Sequence, residues 1–349
     1  MSKSQRDQAI VLALSCDAAF AAHSGVVIQY ILSFAKKDQP LEFYILDGGV
    51  RKIDRFRLNS LVRGYPRASL TMIDVSDSFD SVSCSQYMNY GRANYYRLLL
   101  PGLLPDKDRV LYLDSDLIVR YDLASLFFLD MQGYPIAVCE DLGMKAMVGG
   151  SDRAPEDFAA MPAKDYLLDH LEIGDDFIST YFNSGVMLMD LDELRNSDFD
   201  RQVDRLLQKH RGAFWFVDQD LLNIVFQGRY RALDLIWNFQ TCDVNWLKKY
   251  IPDVVETYEK AQERARIIHY VGMGNKPWSN PDGQYSHYYW QQLRDTPWYE
   301  EVFAGHIAKK RLGECEKAME GRLNLKMKEL MARYSWRNRL KRLWGRLFP

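Results

Sequence analysis

Two carboxylates one residue apart, Asp114 and Asp116, close a short apolar run, Val110 to Leu113, and the chain turns apolar again through Leu117-Ile-Val119. Val and Leu in such a run read as a buried strand, where an unpaired acid is costly. Side chains two apart on an extended chain point the same way, so both carboxylates can face one cation. Hard oxygen donors suit Mg²⁺ or Mn²⁺, and a divalent ion suits a diphosphate. The same residues also fit an Asp-rich turn after a strand. Three further groups bear on the choice. His269 ends a second apolar run just before Gly272. A neutral imidazole is a good Mn²⁺ ligand, and also a common structural residue. Gly272 to Lys276 has the composition to wrap a phosphate with backbone amides and one point charge, or to make a Lys-Pro-Trp turn. Asp218-Gln219-Asp220 opens a helical pattern, where acids also serve as plain N-caps.

The elements that must position these groups alternate. Ala9–Leu14 is a continuous apolar run, the style of a buried parallel strand. A helix follows over Val26–Lys36, with Val27, Tyr30, Ile31 and Phe34 on one face. Glu42–Leu46 reads as a strand, Asp54–Leu61 as a helix and Leu70–Val75 as a third strand. Strand and helix in alternation make a Rossmann-like α/β half, but the Gly-x-Gly-x-x-Gly fingerprint of dinucleotide binding is absent after the first strand. Helices are expected over Arg92–Leu104 and Asp122–Leu129, the latter capped by Asp122. Pro135–Val138 is a short strand reaching Glu140 and Asp141. From Leu142 to Thr180 the pattern dissolves apart from a helix at Lys164–Leu171, which is the signature of a binding loop or a disordered segment. Tyr181-Phe-Asn183-Ser-Gly185-Val resumes as strand, with Gly allowing close backbone approach. Asp198–His210 and Leu221–Phe226 are helical, Tyr230–Leu233 a strand, Asp253–Arg264 a helix and Arg266–Val271 a last strand.

The 349 residues carry a net charge of −2, distributed unevenly. From Arg322 to Pro349 nine Lys/Arg stand against one Glu, so the first 321 residues hold −10. An acidic body with no recognition module weighs against nucleic acid. The five cysteines, Cys16, Cys84, Cys139, Cys242 and Cys315, are widely spaced and odd in number. That pattern fits a reducing cytosol rather than a disulfide framework or a zinc site. The polar N-terminus does not read as a signal peptide, and no run approaches the roughly 20 apolar residues of a bilayer span.

Four motifs in order, Leu-Tyr-Leu-Asp114-Ser-Asp116, Phe-Asn183-Ser-Gly185-Val, Asp218-Gln219-Asp220-Leu-Leu-Asn and His269-Tyr-x-Gly272-x-x-x-Lys276-Pro-Trp278, resemble the retaining glycosyltransferase family 8. The likeness is greatest to its bacterial lipopolysaccharide galactosyl- and glucosyltransferases and covers about residues 8 to 280. It implies a GT-A fold: an α/β, Rossmann-like mixed sheet flanked by helices, with residues 281–349 as a helical C-terminal extension. It implies Mn²⁺ or Mg²⁺ held by Asp114, Asp116 and His269 on the diphosphate of a UDP-hexose. Ser15, Asp17, Phe20 and Ser115 would cradle the nucleoside, and Gly272 and Lys276 would grip the phosphates. Arg97 would reach the donor sugar and the metal carboxylates, with Asp141, Asn183, Asp218 and Gln219 lining the sugar pocket. Gln219, at the position beneath the anomeric carbon, is a poor nucleophile, which favours same-face attack over a covalent intermediate. The implied acceptor is a saccharide, lipid-linked as in lipopolysaccharide core; a protein acceptor, another glycan, and an inactive carbohydrate-binding or membrane scaffold are the alternatives.

The tail adds a partner. Between Arg333 and Phe348, Trp336, Leu340, Leu343 and Leu347 fall at helical spacing among five arginines and lysines. A basic amphipathic helix with aromatic anchors is the type that lies on an anionic membrane, here the inner face of the cytoplasmic membrane. A helix packed on the body with a solvated basic face is the alternative.

Overall fold

The structure, a computed structural model, describes residues 7–308 except 81, 83–90, 151, 153 and 155, together with 310, 311, 326 and 328. The chain divides into two compact units, Met1–Pro297 and Trp298–Pro349, and every described strand lies in the first. The basic helix expected over Arg333–Phe348 lies outside the described residues. Among the described residues no helix is long and apolar enough to cross a membrane.

The apolar run near the N-terminus forms β1 (Ile10–Cys16), buried along its whole length. It is followed by α1 (Ala21–Phe34), β2 (Leu41–Asp47), α2 (Lys52–Arg63) and β3 (Ala68–Asp74). β1 pairs in parallel with β2 from Ile10 opposite Leu41 to Cys16 opposite Asp47, and β2 pairs in parallel with β3. Parallel neighbours need a crossover, and the two helices supply it. On α1, Val27, Tyr30 and Ile31 are buried as the periodicity predicts, whereas Phe34, in the last turn, is exposed.

Seven further strands complete the set: β4 (Arg109–Leu113), β5 (Leu117–Val119), β6 (Ile136–Glu140), β7 (Phe182–Asp190), β8 (Arg231–Ala232), β9 (Phe239–Gln240) and β10 (Ile267–His269). The main sheet runs β3-β2-β1-β4-β7-β6-β8, with β7 antiparallel to both its neighbours. A second sheet runs β5-β10-β9. The expected mixed α/β sheet is present, and the small sheet is an addition that β-strands of two or three residues did not announce.

Some helices differ from expectation. Residues 92–104 form two 3₁₀ turns, Arg92–Asn94 and Tyr96–Leu99, and one α turn, Leu100–Leu103, rather than a single helix. Pro101 and Gly102 at its end disfavour continuation. Residues 122–129 hold only one turn, Ala124–Phe127, with Asp122 Oδ1 accepting the Ala124 N–H at 2.9 Å. The segment after Asp141 is not irregular at its start: α3 (Leu142–Gly149) is capped by Asp141, whose Oδ1 accepts the Met144 N–H at 2.7 Å. Its glycines mask the pattern in sequence. The helix at 164–171 is a short turn, Ala163–Asp165, passing into π-helical Tyr166–His170. The later helices α4 (Phe199–His210), α5 (Val217–Phe226) and α6 (Val255–Arg264) follow their patterns, and α7 (Ser286–Leu293) comes after the last strand.

Asp220 locks three of these segments together. Its Oδ2 accepts the Tyr166 hydroxyl at 2.7 Å and the Phe216 N–H at 2.8 Å, and its Oδ1 accepts the Tyr181 hydroxyl. Burial pushes its carboxyl up to about 6, against the pull of these donors. A carboxyl raised on folding stabilises the protein below its unfolded pKa and loses that contribution as pH climbs through the folded value. The stability of the wild type relative to Asp220→Asn should therefore fall between about pH 4 and pH 6.5, by roughly 3 kcal/mol at 1.36 kcal/mol per pKa unit. Urea unfolding across that range measures it, and a difference that grows with pH would contradict the assignment.

Candidate active site

The two sheets exchange the chain at the paired carboxylates. β4 ends at Leu113, the Asp114 N–H bonds to Gly185 O at 2.8 Å, and β5 enters the small sheet at Leu117. There β10 runs antiparallel to β5 with His269 opposite Leu117, and the Tyr270 N–H reaches Asp116 O at 3.1 Å. Register thus sets an imidazole from the far end of the chain beside the Asp pair. One ligand atom each from Asp114, Asp116 and His269 lie within 4.8 Å of one another. His269 Nε2 is 3.2 Å from Asp116 Oδ1 and 3.9 Å from Asp114 Oδ2.

Two carboxylates and an imidazole are a donor set that fits Mn²⁺. A second observation agrees: among the described residues, buried Asp116 Oδ1 has no hydrogen-bond donor assigned to it and faces only the His269 Nε2 at 3.2 Å, a condition that native interiors rarely tolerate. Burial pushes the Asp116 carboxyl up, but the Lys276 ammonium beside it outweighs that and holds it well below the usual carboxylate range. Lys276 pairs with Asp116 Oδ2 and also donates to Tyr270 O, so its charge lies against the carboxylate pair.

Arg97 is the counter-charge at the centre. Its guanidinium is 1% exposed and lies 4.2 Å over the Tyr112 ring. Its Nη2 donates to Asp114 Oδ1 at 2.9 Å, its Nε sits 2.9 Å from Asp218 Oδ2, and its Nη1 donates to Ser184 O at 2.6 Å. Burial opposes its charge, while Asp114 and Asp218 favour it and leave it more firmly protonated than usual. Burial likewise pushes Asp218 up to about 7, with Arg97 pulling the other way. The Asp218-Gln219-Asp220 triplet is therefore not a row of N-caps. Asp218 ion-pairs, Gln219 bridges, and Asp220 closes the core lock. Gln219 Oε1 accepts the Ser184 N–H at 3.1 Å and its Nε2 donates to Asp141 Oδ2 at 3.1 Å. Just before them Val217 holds φ at +43°, a left-handed value that costs a β-branched residue about 1–3 kcal/mol.

Two adjoining cavities gather the candidate residues. One, of about 200 Å³, is lined by Ser15, Asp17, Phe20, Ser115 and Tyr112. Phe20 is 40% exposed and stands edge-on to Trp278, which stacks on His23 at 3.6 Å between ring centroids. Asp17 Oδ1 already accepts the N–H groups of Ala19 and Phe20. The other, of about 380 Å³, is lined by Asp141, Asn183, Asp218, Gln219 and His269, and extends to Thr241, Asp243 and Trp246. Arg97, Asp114, Asp116, Gly272 and Lys276 line both. Every residue that the family likeness places in the site thus lies on one of these walls, while Asp220 points into the core. Trp246, Ser184 and Asn238 were not singled out: Ser184 lies inside β7, Trp246 on the short helix Val244–Tyr250 and Asn238 between a 3₁₀ turn and β9, and no spacing rule marks them.

Gly185 has no room for a side chain. A Cβ there would overlap His269 Cε1 and come within 2.8 Å of Asp114 Oδ2. Gly185→Ala should displace the imidazole and abolish the rise in melting temperature that Mn²⁺ gives the wild type; an undiminished rise would contradict this. Arg97→Met should lower stability by about 3–5 kcal/mol, since it leaves the buried Asp218 and the half-buried Asp114 without their cation. Chemical denaturation at neutral pH checks that loss.

The sequence profile of glycosyl transferase family 8 matches residues 11–281. General stress protein A of Bacillus subtilis (strain 168) is 27% identical over 304 residues, which span 84% of this chain and 96% of that protein. The lipopolysaccharide 1,2-glucosyltransferase of Escherichia coli (strain K12) is 25% identical over 303 residues, 83% of this chain and 79% of that one. Among solved structures, the apo bifunctional glycosyltransferase WbbM aligns with a TM-score of 0.74 at 27% identity, over 85% of this chain and 52% of that chain.

Proposed function

The chain belongs to glycosyl transferase family 8, and from that premise we propose that it is a retaining hexosyltransferase using a UDP-sugar and Mn²⁺. The hexose is galactose or glucose, and the acceptor is a saccharide of a lipid-linked glycan such as lipopolysaccharide core. The observation that carries this reading is the Asp114, Asp116, His269 cluster at the seam of two cavities. One cavity has an exposed aromatic ring suited to a nucleobase, and the other has amide and carboxylate groups suited to sugar hydroxyls. The likeness to a lipopolysaccharide glucosyltransferase supports the acceptor class. The basic tail supports work at the inner face of the cytoplasmic membrane.

When bound, the cation would neutralise charge developing on the departing diphosphate. Asp114, Asp116 and His269 would hold it. Lys276 and the amides after Gly272 would add positive potential at the same oxygens. Asn183 and Asp141 would bind and orient donor hydroxyls. Asp218 is tied to Arg97 and 1% exposed, so it is not free to attack an anomeric carbon. Gln219 has both ends of its amide engaged. These constraints favour same-face substitution. The bond from the anomeric carbon to the diphosphate oxygen breaks, the acceptor oxygen bonds on the same face, and the acceptor proton passes to the leaving phosphate.

Turnover of UDP-galactose and UDP-glucose against a saccharide acceptor panel, with and without Mn²⁺, tests this. We expect transfer that needs Mn²⁺, an α-linked product by NMR, and loss of turnover in Asp116→Asn with the fold intact. No transfer from any UDP-hexose, or an inverted product, would refute the reading.

A further inference from the structure

We propose that Asn238 is a positioning residue for the cation site, setting which nitrogen of His269 carries the proton. The proposal rests on the reading of Asp114, Asp116 and His269 as cation ligands. Asn238 is fully buried between Trp237 and β9, outside both cavities. It touches His269 on one side and Asn183 on the other.

The hydrogen bonds leave one consistent assignment. A backbone N–H can only donate. The Gly185 N–H points to Asn183 Oδ1 at 3.0 Å, so that atom is an acceptor. The Asn183 Nδ2 then donates to Asp141 Oδ2, also at 3.0 Å. The group of Asn238 that meets the same Asn183 oxygen at 2.9 Å must be its Nδ2 donor. Asn238 Oδ1 is left to face His269 Nδ1 at 2.9 Å, and an amide oxygen only accepts. His269 therefore carries a proton on Nδ1, which leaves Nε2 as the nitrogen that faces Asp116 and Asp114 and would give its lone pair to a cation. Metal-bound histidines commonly have their other nitrogen held by such an acceptor. Here the acceptor belongs to a relay that starts at the backbone of β7 and touches Asp141 in the sugar cavity. Without it, nothing in the relay holds the proton on Nδ1, and an Nε2–H would point a hydrogen at the place a cation needs.

The test uses ¹⁵N-histidine protein without metal. Long-range ¹H–¹⁵N spectra read the tautomer of each of the six histidines, and His269→Gln assigns the peak. Mn²⁺ titration followed by EPR reads affinity in the same samples. The expected wild-type His269 is the Nδ1–H form. Asn238→Leu, close in shape but with no acceptor, should populate the Nε2–H form and weaken Mn²⁺ binding about tenfold or more. Asn238→Asp keeps the acceptor facing Nδ1 while giving up the donor to Asn183 Oδ1, so it should keep the Nδ1–H tautomer and lose less Mn²⁺ affinity than Asn238→Leu. A wild-type Nε2–H form, an unchanged tautomer in Asn238→Leu, or equal losses in both variants would overturn the proposal. If Asn238→Leu fails to fold, the wild-type tautomer and Asn238→Asp decide alone. A wild type that binds no Mn²⁺ would sink the cation reading, while the metal-free spectra would still judge the relay.

Discussion

Arg97 is the interaction on which the rest of the site depends. A half-buried carboxylate, Asp114 just past β4, and a fully buried one, Asp218 in the first turn of α5, would repel without a cation between them. A planar guanidinium suits the place because its donors diverge at fixed angles. It reaches Asp114, Asp218 and the Ser184 carbonyl on β7 at once, and its flat face covers Tyr112. The broken geometry of residues 92–104 follows from that demand. In the 3₁₀ turn that carries it, Arg97 also donates from Nε back to Asn94 O.

The second constraint is topological. In open α/β sheets ligands gather beyond the carboxyl ends of the strands, where the strand order switches. Here the switch is a change of sheet. Three residues separate β4 in one sheet from β5 in the other, and two of them are the acids. Chain that leaves one hydrogen-bonded ladder before joining the next has side chains free for other work. The antiparallel partner of β5 then brings in His269 through ordinary backbone pairing.

Much of this was legible before any coordinates. The buried run at 9–14 and the alternation after it specify the parallel half, because parallel strands carry a strong apolar signal. The Asp pair was legible as chemistry, since acids in an apolar run need a reason. The small sheet was legible only in part: Arg266–Val271 reads as the strand that holds β10, but β9, with two residues, is too short for any period. α3 was not legible, since Gly143 and Gly149 weaken the helical signal and a cap from Asp141 supplies it instead. Asn238 was invisible for a different reason. An asparagine reads as turn chemistry in sequence, and only its neighbours in space reveal a relay. Asp220 was misread in part: grouped with Asp218 and Gln219 by adjacency, it points into the core, because successive side chains on a helix diverge by about 100°.

Val217 has a consequence beyond its local geometry. A residue that would be more comfortable as glycine, standing immediately ahead of Asp218 and Gln219, marks a point where local stability and the shape of the cavity wall pull apart. The left-handed step turns the chain so that one side chain meets Arg97 while the next faces the cavity. A library sorted for thermostability would relax this position early, and the relaxed proteins would hold the Asp218 carboxylate and the Gln219 amide at slightly different angles. The strained valine is thus a natural marker for separating selection on folding from selection on transfer.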